Sequence, residues 1–192
     1  MHCHGISTDM VEPVAASPTR TPRQSSQKTT TLRRASLGDL DGLLEAYLVS
    51  VREIAAKDYT AVQVKAWITR ILDPDMVGYL AQQIKQDIVW VVEIARRVEG
   101  FAHFRLRADD HPVAYLHALY LAPKAAGSGN GRRLMQRVEE HARALGYRQL
   151  GLHSSRTARG FYERLGYFGV GGEILHKVET VGLPCQPMTK DL

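Results

Sequence analysis

Cysteine is nearly missing from this 192-residue chain: Cys3 and Cys185 stand at its opposite ends. Two such distant thiols build no disulfide framework, and a reducing compartment, the cytoplasm, is the expectation. Long apolar runs are missing as well. No stretch reaches the roughly 20 residues that a membrane helix needs, and none near the start forms the apolar core of roughly 7 residues found in a secretory leader. No membrane association is expected. Charge imbalance is scarce outside one short region. Of 25 basic and 20 acidic residues, five and two fall in residues 1–34, which leaves 20 against 18 elsewhere. The isoelectric point of about 9.3 is therefore largely a property of the first residues. Without aromatic interleaving it is a poor argument for nucleic acid, and no nucleic-acid partner is expected. His103, His111, His117 and His153 show no ligand spacing, so no metal is expected; Met1-His2-Cys3-His4 reads as incidental.

What is present falls into two parts. Residues 1–30 are rich in Ser, Thr, Pro, Gln and Arg and have no hydrophobic periodicity, the composition of a disordered basic and polar tail. The acid-poor stretch from Val14 to Ser36 is equally compatible with a transit peptide or with an upstream, misassigned start. Residues 31–192 read as one α/β domain, of the α+β kind, with about seven strands of mixed direction and about four helices.

The elements can be placed in order. Thr31 to Arg34 is a short strand; Ser36, with Asp39 three residues on, caps a helix whose apolar face is Leu40, Leu43, Leu44, Tyr47, Leu48 and Val51. Thr60 and Gln63 open a second helix through Leu72, and Asp73-Pro74 opens a third. Asp87 to Ala95 is β-branched and continuous, a buried strand. It turns through Arg96 to Gly100 into a partner strand, Phe101 to Leu106. The loop Arg107 to Pro112 leads into the central strand, Val113 to Leu121, stopped by Pro123. A helix with Leu134, Val138, Ala142 and Leu145 at helical spacing ends at Gly146. Then come a strand, Gln149 to His153, a helix capped by Ser154 or Ser155 that ends at Gly166, and closing strands on either side of Gly171-Gly172.

Between the central strand and the helix after it lie three alternating glycines, Gly127, Gly129 and Gly131, followed by Arg132 and Arg133. The first N–H groups of a helix have no intrahelical partner and the dipole is positive there. Glycine lets an anion reach that backbone, so the turn is a candidate phosphate cradle. The spacing is not the dinucleotide fingerprint, which needs G-x-G-x-x-G and a later acidic residue, nor a P-loop, which needs Gly-Lys-Ser/Thr.

This stretch resembles the acetyl-CoA loop of the GCN5-related N-acetyltransferases, Arg/Gln-x-x-Gly-x-Gly/Ala. Gly129 and Gly131 take the small positions, and Ala126 departs from the pattern at the Arg/Gln position. Ala158 to Tyr167, ARGFYERLGY, resembles the family's A-x-x-F-Y-x-x-x-G-F/Y segment, and Met188-Thr189-Lys190-Asp191-Leu192 its closing M-x-K-x-L strand. The similarity covers about residues 31–192. It implies a central sheet splayed between its fourth and fifth strands. It also implies acetyl-CoA as co-substrate, with pantetheine along the backbone of Leu119, Tyr120 and Leu121. Pyrophosphate would meet Gly127, Ser128, Gly129, Asn130, Gly131, Arg132 and Arg133, with Ser155 beside the cofactor.

The implied reaction is direct attack of a primary amine on the thioester. Tyr162, at the family's donor position, would protonate the departing CoA thiolate; a core role is the other reading of that residue. YLHALYL is similar to the H-x-H-A-L-x-V strand of the arylalkylamine N-acetyltransferases, which makes His117 the candidate base; a structural histidine is the alternative. Strand alternation would put Tyr115, His117 and Leu119 on one face. Glu93 and His103 are lesser candidates. Tyr59 to Trp67 resembles a segment that walls the acceptor pocket in one bacterial branch, although both aromatics also suit a core. The expected acceptor is a small-molecule amine or an exposed protein amine, and the expected assembly a monomer or homodimer. A non-catalytic acyl-CoA sensor of the same fold is the rival function.

Overall fold

The computed structural model describes residues 29–105 and 113–192. The expected tail and the Arg107–Pro112 loop lie almost wholly outside them. The described residues form one sheet of eight strands: β1 (Thr30–Arg34), β2 (Ile88–Ile94), β3 (Arg97–Arg105), β4 (Val113–Leu121), β5 (Gln149–Ser155), β6 (Phe168–Gly169), β7 (Ile174–Val178) and β8 (Val181–Asp191). The order is β1-β2-β3-β4-β5-β8-β6, with β7 also on β8. Neighbours are antiparallel except β4 and β5. Helices α1 (Leu40–Val49), α2 (Ala61–Leu72) and α3 (Pro74–Gln86) precede the central strands; α4 (Asn130–Ala144) and α5 (Arg159–Glu163) flank β5.

Local chemistry explains most boundaries. Asp39 accepts hydrogen bonds from the Ser36 N–H and Oγ at the head of α1. Thr60 and Gln63 exchange side-chain-to-backbone bonds at the head of α2, and Asp73 accepts from Asp75 N–H ahead of Pro74-led α3. The sequence Leu-Gly-Tyr occurs twice, at 145–147 and 165–167, and does the same work twice. Gly146 and Gly166 take φ of 86° and 88°. The following tyrosine N–H bonds the carbonyl five residues back, Tyr147 to Ala142 and Tyr167 to Tyr162, so both helices end in a Schellman motif.

Four boundaries differ from the sequence expectation. The β2–β3 turn is only Ala95-Arg96, both at positive φ (51° and 63°). β3 therefore begins at Arg97, not Phe101. Such a turn normally announces itself with Asn or Gly, and here it does not. β5 runs on to Ser155, so neither serine caps α5 directly; Ser155 Oγ accepts the Ala158 N–H in the turn before it. Leu145 lies just past α4 and is exposed. Finally, α1 ends at Val49, so Val51, expected on its apolar face, lies in a π-turn, Ser50–Ile54, followed by a short 3₁₀ turn, Ala55–Lys57.

The sheet divides two apolar layers. On one face Phe104, Leu116 and Leu150 of the sheet pack with Leu134, Met135 and Val138 of α4. On the other, Leu43, Leu80, Ile84, Val89, Val91 and Phe101 pack under α1 and α3. α4 is also clamped to the last strand. Glu139, almost fully buried, accepts from Lys190 Nζ at 2.8 and 3.0 Å and from Tyr167 OH at 3.1 Å. Tyr167 and Lys190 belong to the two C-terminal motifs of the sequence, and what they do here is hold the fold.

Lys190→Met removes the nearest cation from a buried carboxylate and leaves Arg143, 3.6 Å away, as the remaining one. The expected cost is about 3 kcal/mol, a fall in Tm of roughly 10 °C for a chain of this length. Adding Glu139→Gln should recover more than half of it. Equal Tm values for single and double variants would show that the clamp carries no charge penalty.

Candidate functional site

β4 and β5 begin as a parallel pair and then part. Their register runs from Val113–Gln149 to Leu116–Leu152 and ends there, although β4 continues to Leu121 and β5 to Ser155. β4 stays bound to β3, and β5 to β8, through these further residues. The splay inferred from resemblance is thus present, and it leaves main-chain groups along the inner edges with no strand partner across the gap.

At the point of parting β4 bulges. Ala118 faces His103 and Leu116 faces Phe104, so His117 is the extra residue. The bulge resets the alternation. Ala114, Leu116, Leu119 and Leu121 pack on the α4 side, whereas Ala118 and Tyr120 pack with α1 and α3. Tyr115 and Leu119 are therefore on opposite faces, not the same one, because strict period-two reading fails across a bulge.

Two cavities open into the splay. One, of about 480 Å³, lies over the glycine turn and is lined by Leu119, Tyr120, Leu121, Ala126, Gly127, Gly129, Gly131, Arg132 and Ser155. Gly127 and Gly129 have φ of 73° and 81°, which L side chains resist. A Cβ on Gly131 would come within 3.1–3.2 Å of Phe161 and Leu121, narrowing the cleft. Ser128 and Asn130 turn inward instead: Ser128 Oγ and Asn130 Nδ2 both donate to the Ala125 carbonyl. Their side chains brace the loop, which leaves their backbone for any ligand. Arg132 lines the cleft, while Arg133 is directed at Asn130 Oδ1. Three contributors lacked a sequence signal. Arg164 comes from beyond α5, and Ser50 and Ile54 are delivered by the π-turn. Thr157 Oγ1, also in the lining, is buried with no partner among the described residues. An orphan hydroxyl, two arginines and a side-chain-free helix start suit an elongated ligand with anionic phosphates.

The second cavity, of about 520 Å³, shares Trp67, Leu119, Tyr120, Ser155 and Ala158 with the first, so the two meet at the splay. Tyr162 and His117 both line it. Tyr162 is buried, and its hydroxyl has no hydrogen-bond partner among the described residues. Burial, and then the nearby Tyr115, raise its phenol well above 10.0. For His117, burial first, then His103 and Arg105, push the pKa from 6.5 down to about 4. One side of that ring stays open to the solvent of the cavity. Behind it, at 4.8 Å between ring centres, sits buried His103, whose Nε2 is 2.6 Å from Asp87 Oδ2. Burial outweighs Asp87 and lowers the His103 pKa too.

His103 does not line either cavity, and Glu93 is engaged by Arg33 at 2.7 Å near the first strand. Both lesser candidates therefore lie off the site. Tyr59 and Trp67 are packed and are also walls of the second cavity. Tyr59 donates to the Pro184 carbonyl at 2.7 Å and accepts from Arg156 N–H at 3.1 Å, tying β8 to the end of β5.

Known proteins agree with this architecture. A family model described as an acetyltransferase (GNAT) domain matches residues 55–192. An uncharacterised N-acetyltransferase of Archaeoglobus fulgidus is 30% identical over 135 residues, 68% of this chain and 88% of the relative. A GCN5-related N-acetyltransferase of Rhodopseudomonas palustris superposes with a TM-score of 0.75 at 23% identity, over 85% of this chain and 96% of that one. The PaiA N-acetyltransferase of Thermoplasma acidophilum, solved with coenzyme A, superposes with a TM-score of 0.65 at 19% identity, over 85% and 99%. At such identities the two structures speak for the fold, and the family model and the archaeal relative for descent. The chain belongs to the GNAT acetyltransferase family.

Proposed function

We propose that this protein transfers an acetyl group from acetyl-CoA to a primary amine, with the cofactor over the glycine turn and the amine in the tyrosine-lined cavity. The observation that carries the reading is the meeting of two cavities at the splay. One has a helix start and two arginines; the other has two ionisable side chains held neutral. The coenzyme A bound by the Thermoplasma relative supports the cofactor's identity.

Each residue then has a task. The N–H groups at Gly129–Gly131, with Arg132 and Arg164, hold the pyrophosphate, and the open edge of Leu119, Tyr120 and Leu121 orders the pantetheine amides. Ser128, Asn130 and Arg133 hold the loop, and Ser155 stands at the junction. The thioester supplies an activated acyl carbon. Attack by nitrogen forms the C–N bond and breaks C–S; the nitrogen loses one proton and the sulfur gains one. Tyr162, neutral across the physiological range, gives the proton to sulfur. His117, also neutral at pH 7, takes the proton from nitrogen, as a weak base with solvent access through which to pass it on. A sensor of acyl-CoA would need only the first cavity, and the formed second one favours an enzyme.

Titration calorimetry of the full chain should give micromolar binding of acetyl-CoA, and mixing with a panel of primary amines should release free thiol. Tyr162→Phe should keep binding and cut turnover roughly tenfold or more. No binding of acetyl-CoA would overturn the reading, and binding with no turnover of any amine would leave the sensor.

A pH profile tests His117. It acts as a base only when unprotonated, so its contribution to kcat/KM is present above its pKa of about 4 and lost as pH falls through it. Between pH 5 and 8 any slope should come from the amine's own ionisation and should survive His117→Gln. An acid limb near the ordinary histidine value of about 6.5, absent from the variant, would show that the ring is not desolvated.

A further inference from the structure

We infer that the amine acceptor combines an aromatic or broad apolar body with an anionic group, the chemistry of an aromatic α-amino acid. This inference rests on the acetyltransferase reading above and names its second substrate.

The body is dictated by the wall of the second cavity. Tyr47, Tyr59, Trp67 and Tyr120 interlock there, with ring centres 3.8 Å apart for Tyr47–Tyr120, 5.4 Å for Tyr59–Trp67 and 6.3 Å for Trp67–Tyr120. Most of their hydrogen-bonding capacity is used within the protein. Tyr120 OH donates to Tyr47 OH at 3.1 Å, Trp67 Nε1 donates to the same oxygen at 3.2 Å, and Tyr59 OH donates to the Pro184 carbonyl. What the wall offers an incoming molecule is therefore ring faces and edges, which favour another ring or a wide aliphatic group.

The charge is dictated by what accompanies that wall. Among the described residues that line the cavity there is no Asp or Glu, while Arg70 and Lys177 are both present. The nearest carboxylate to Arg70 is Asp73, at 3.4 Å between two half-exposed side chains and outside the lining. Lys177 has no carboxylate within ion-pair distance among the described residues. An acceptor whose only charge is its ammonium meets like charge on entry. One that also carries a carboxylate brings the opposite charge to Arg70 and Lys177 and can meet the guanidinium with two parallel hydrogen bonds. Recognition by exclusion acts in the same direction: with no acidic side chain among the described lining residues to receive it, a polyamine is turned away.

Matched pairs that differ only in a carboxylate test the inference: L-phenylalanine against phenethylamine and L-tryptophan against tryptamine. Spermidine and L-alanine extend the set. The readouts are thiol release at saturating acetyl-CoA and, for the phenylalanine pair, quenching of tryptophan emission by binding. The carboxylated member should have roughly tenfold or higher kcat/KM, carried by KM, with L-alanine and spermidine poor. Arg70→Gln and Lys177→Gln should each shrink that ratio toward one. Faster turnover of the decarboxylated amines or of spermidine would overturn the anionic half, and L-alanine matching L-phenylalanine would overturn the aromatic half. Acetyl-CoA binding with neither quenching nor turnover for any carboxylated member overturns the inference alone. Failure to bind acetyl-CoA removes the reading beneath it.

Discussion

The separation of β4 from β5 after four paired residues is the constraint on which the rest of the molecule turns. Each strand is already bound on its far side, β4 by β3 and β5 by β8. The gap between them cannot close without breaking one of those ladders. A buried main-chain edge without a partner is costly, so the gap must be filled by water or by a ligand that brings amides of its own. The two cavities are the two ends of that gap. Tyr59 reinforces one flank of the gap, because its hydroxyl ties Pro184 on β8 to Arg156 just past β5.

Two local irregularities fit the ends of the gap to different chemistry. The bulge at His117 turns Ala118 and Tyr120, in place of Leu119 and Leu121, to the α1 and α3 face, which puts Tyr120 into the aromatic wall of the second cavity. The π-turn after α1 brings Ser50 and Ile54 to the opposite cavity. Both cost regular hydrogen bonding, and both occur where a wall has to be re-aimed rather than where the core is built.

The sequence was legible wherever a residue acts on its own neighbours. Capping at Ser36, Thr60 and Asp73, the helix ends at Gly146 and Gly166, and the presence of a glycine turn at 127–131 are decided within a few residues. The Ala95-Arg96 turn, the His117 bulge and the π-turn were not legible, since each is imposed by pairing or packing with distant elements and leaves no local mark. The candidate site divides in the same way. Arg132 stands beside the glycines and could be nominated. Arg164 and Thr157 reach the same cleft only because α5 packs next to α4, and Lys177 reaches the acceptor side only through the β7–β8 hairpin. Tyr167 and Lys190 show the converse. Family pattern drew attention to their segments, and the geometry gives them to the Glu139 clamp.

One physical influence acts in opposite senses on Tyr162 and His117 in the second cavity. Burial raises the Tyr162 pKa and lowers that of His117, and both changes favour the neutral form. The same environment acts on whatever amine enters. An ammonium leaving water for an aromatic wall, next to Arg70 and Lys177 and with no acidic side chain among the described lining residues, loses hydration and gains repulsion. In the proposed reaction this lowers the amine's own pKa, against the attraction of the ring faces for a cation. A strong base is then unnecessary. His117, a weak base because its pKa is lowered, fits the proposed reaction only with an amine whose proton is already loosened. An anionic group on the acceptor adds to this by holding the molecule in the cavity while its nitrogen is kept unprotonated. If the proposed reaction is the right one, the cavity's contribution lies less in a strong base than in a lining whose described residues include no acidic side chain to hold the amine charged.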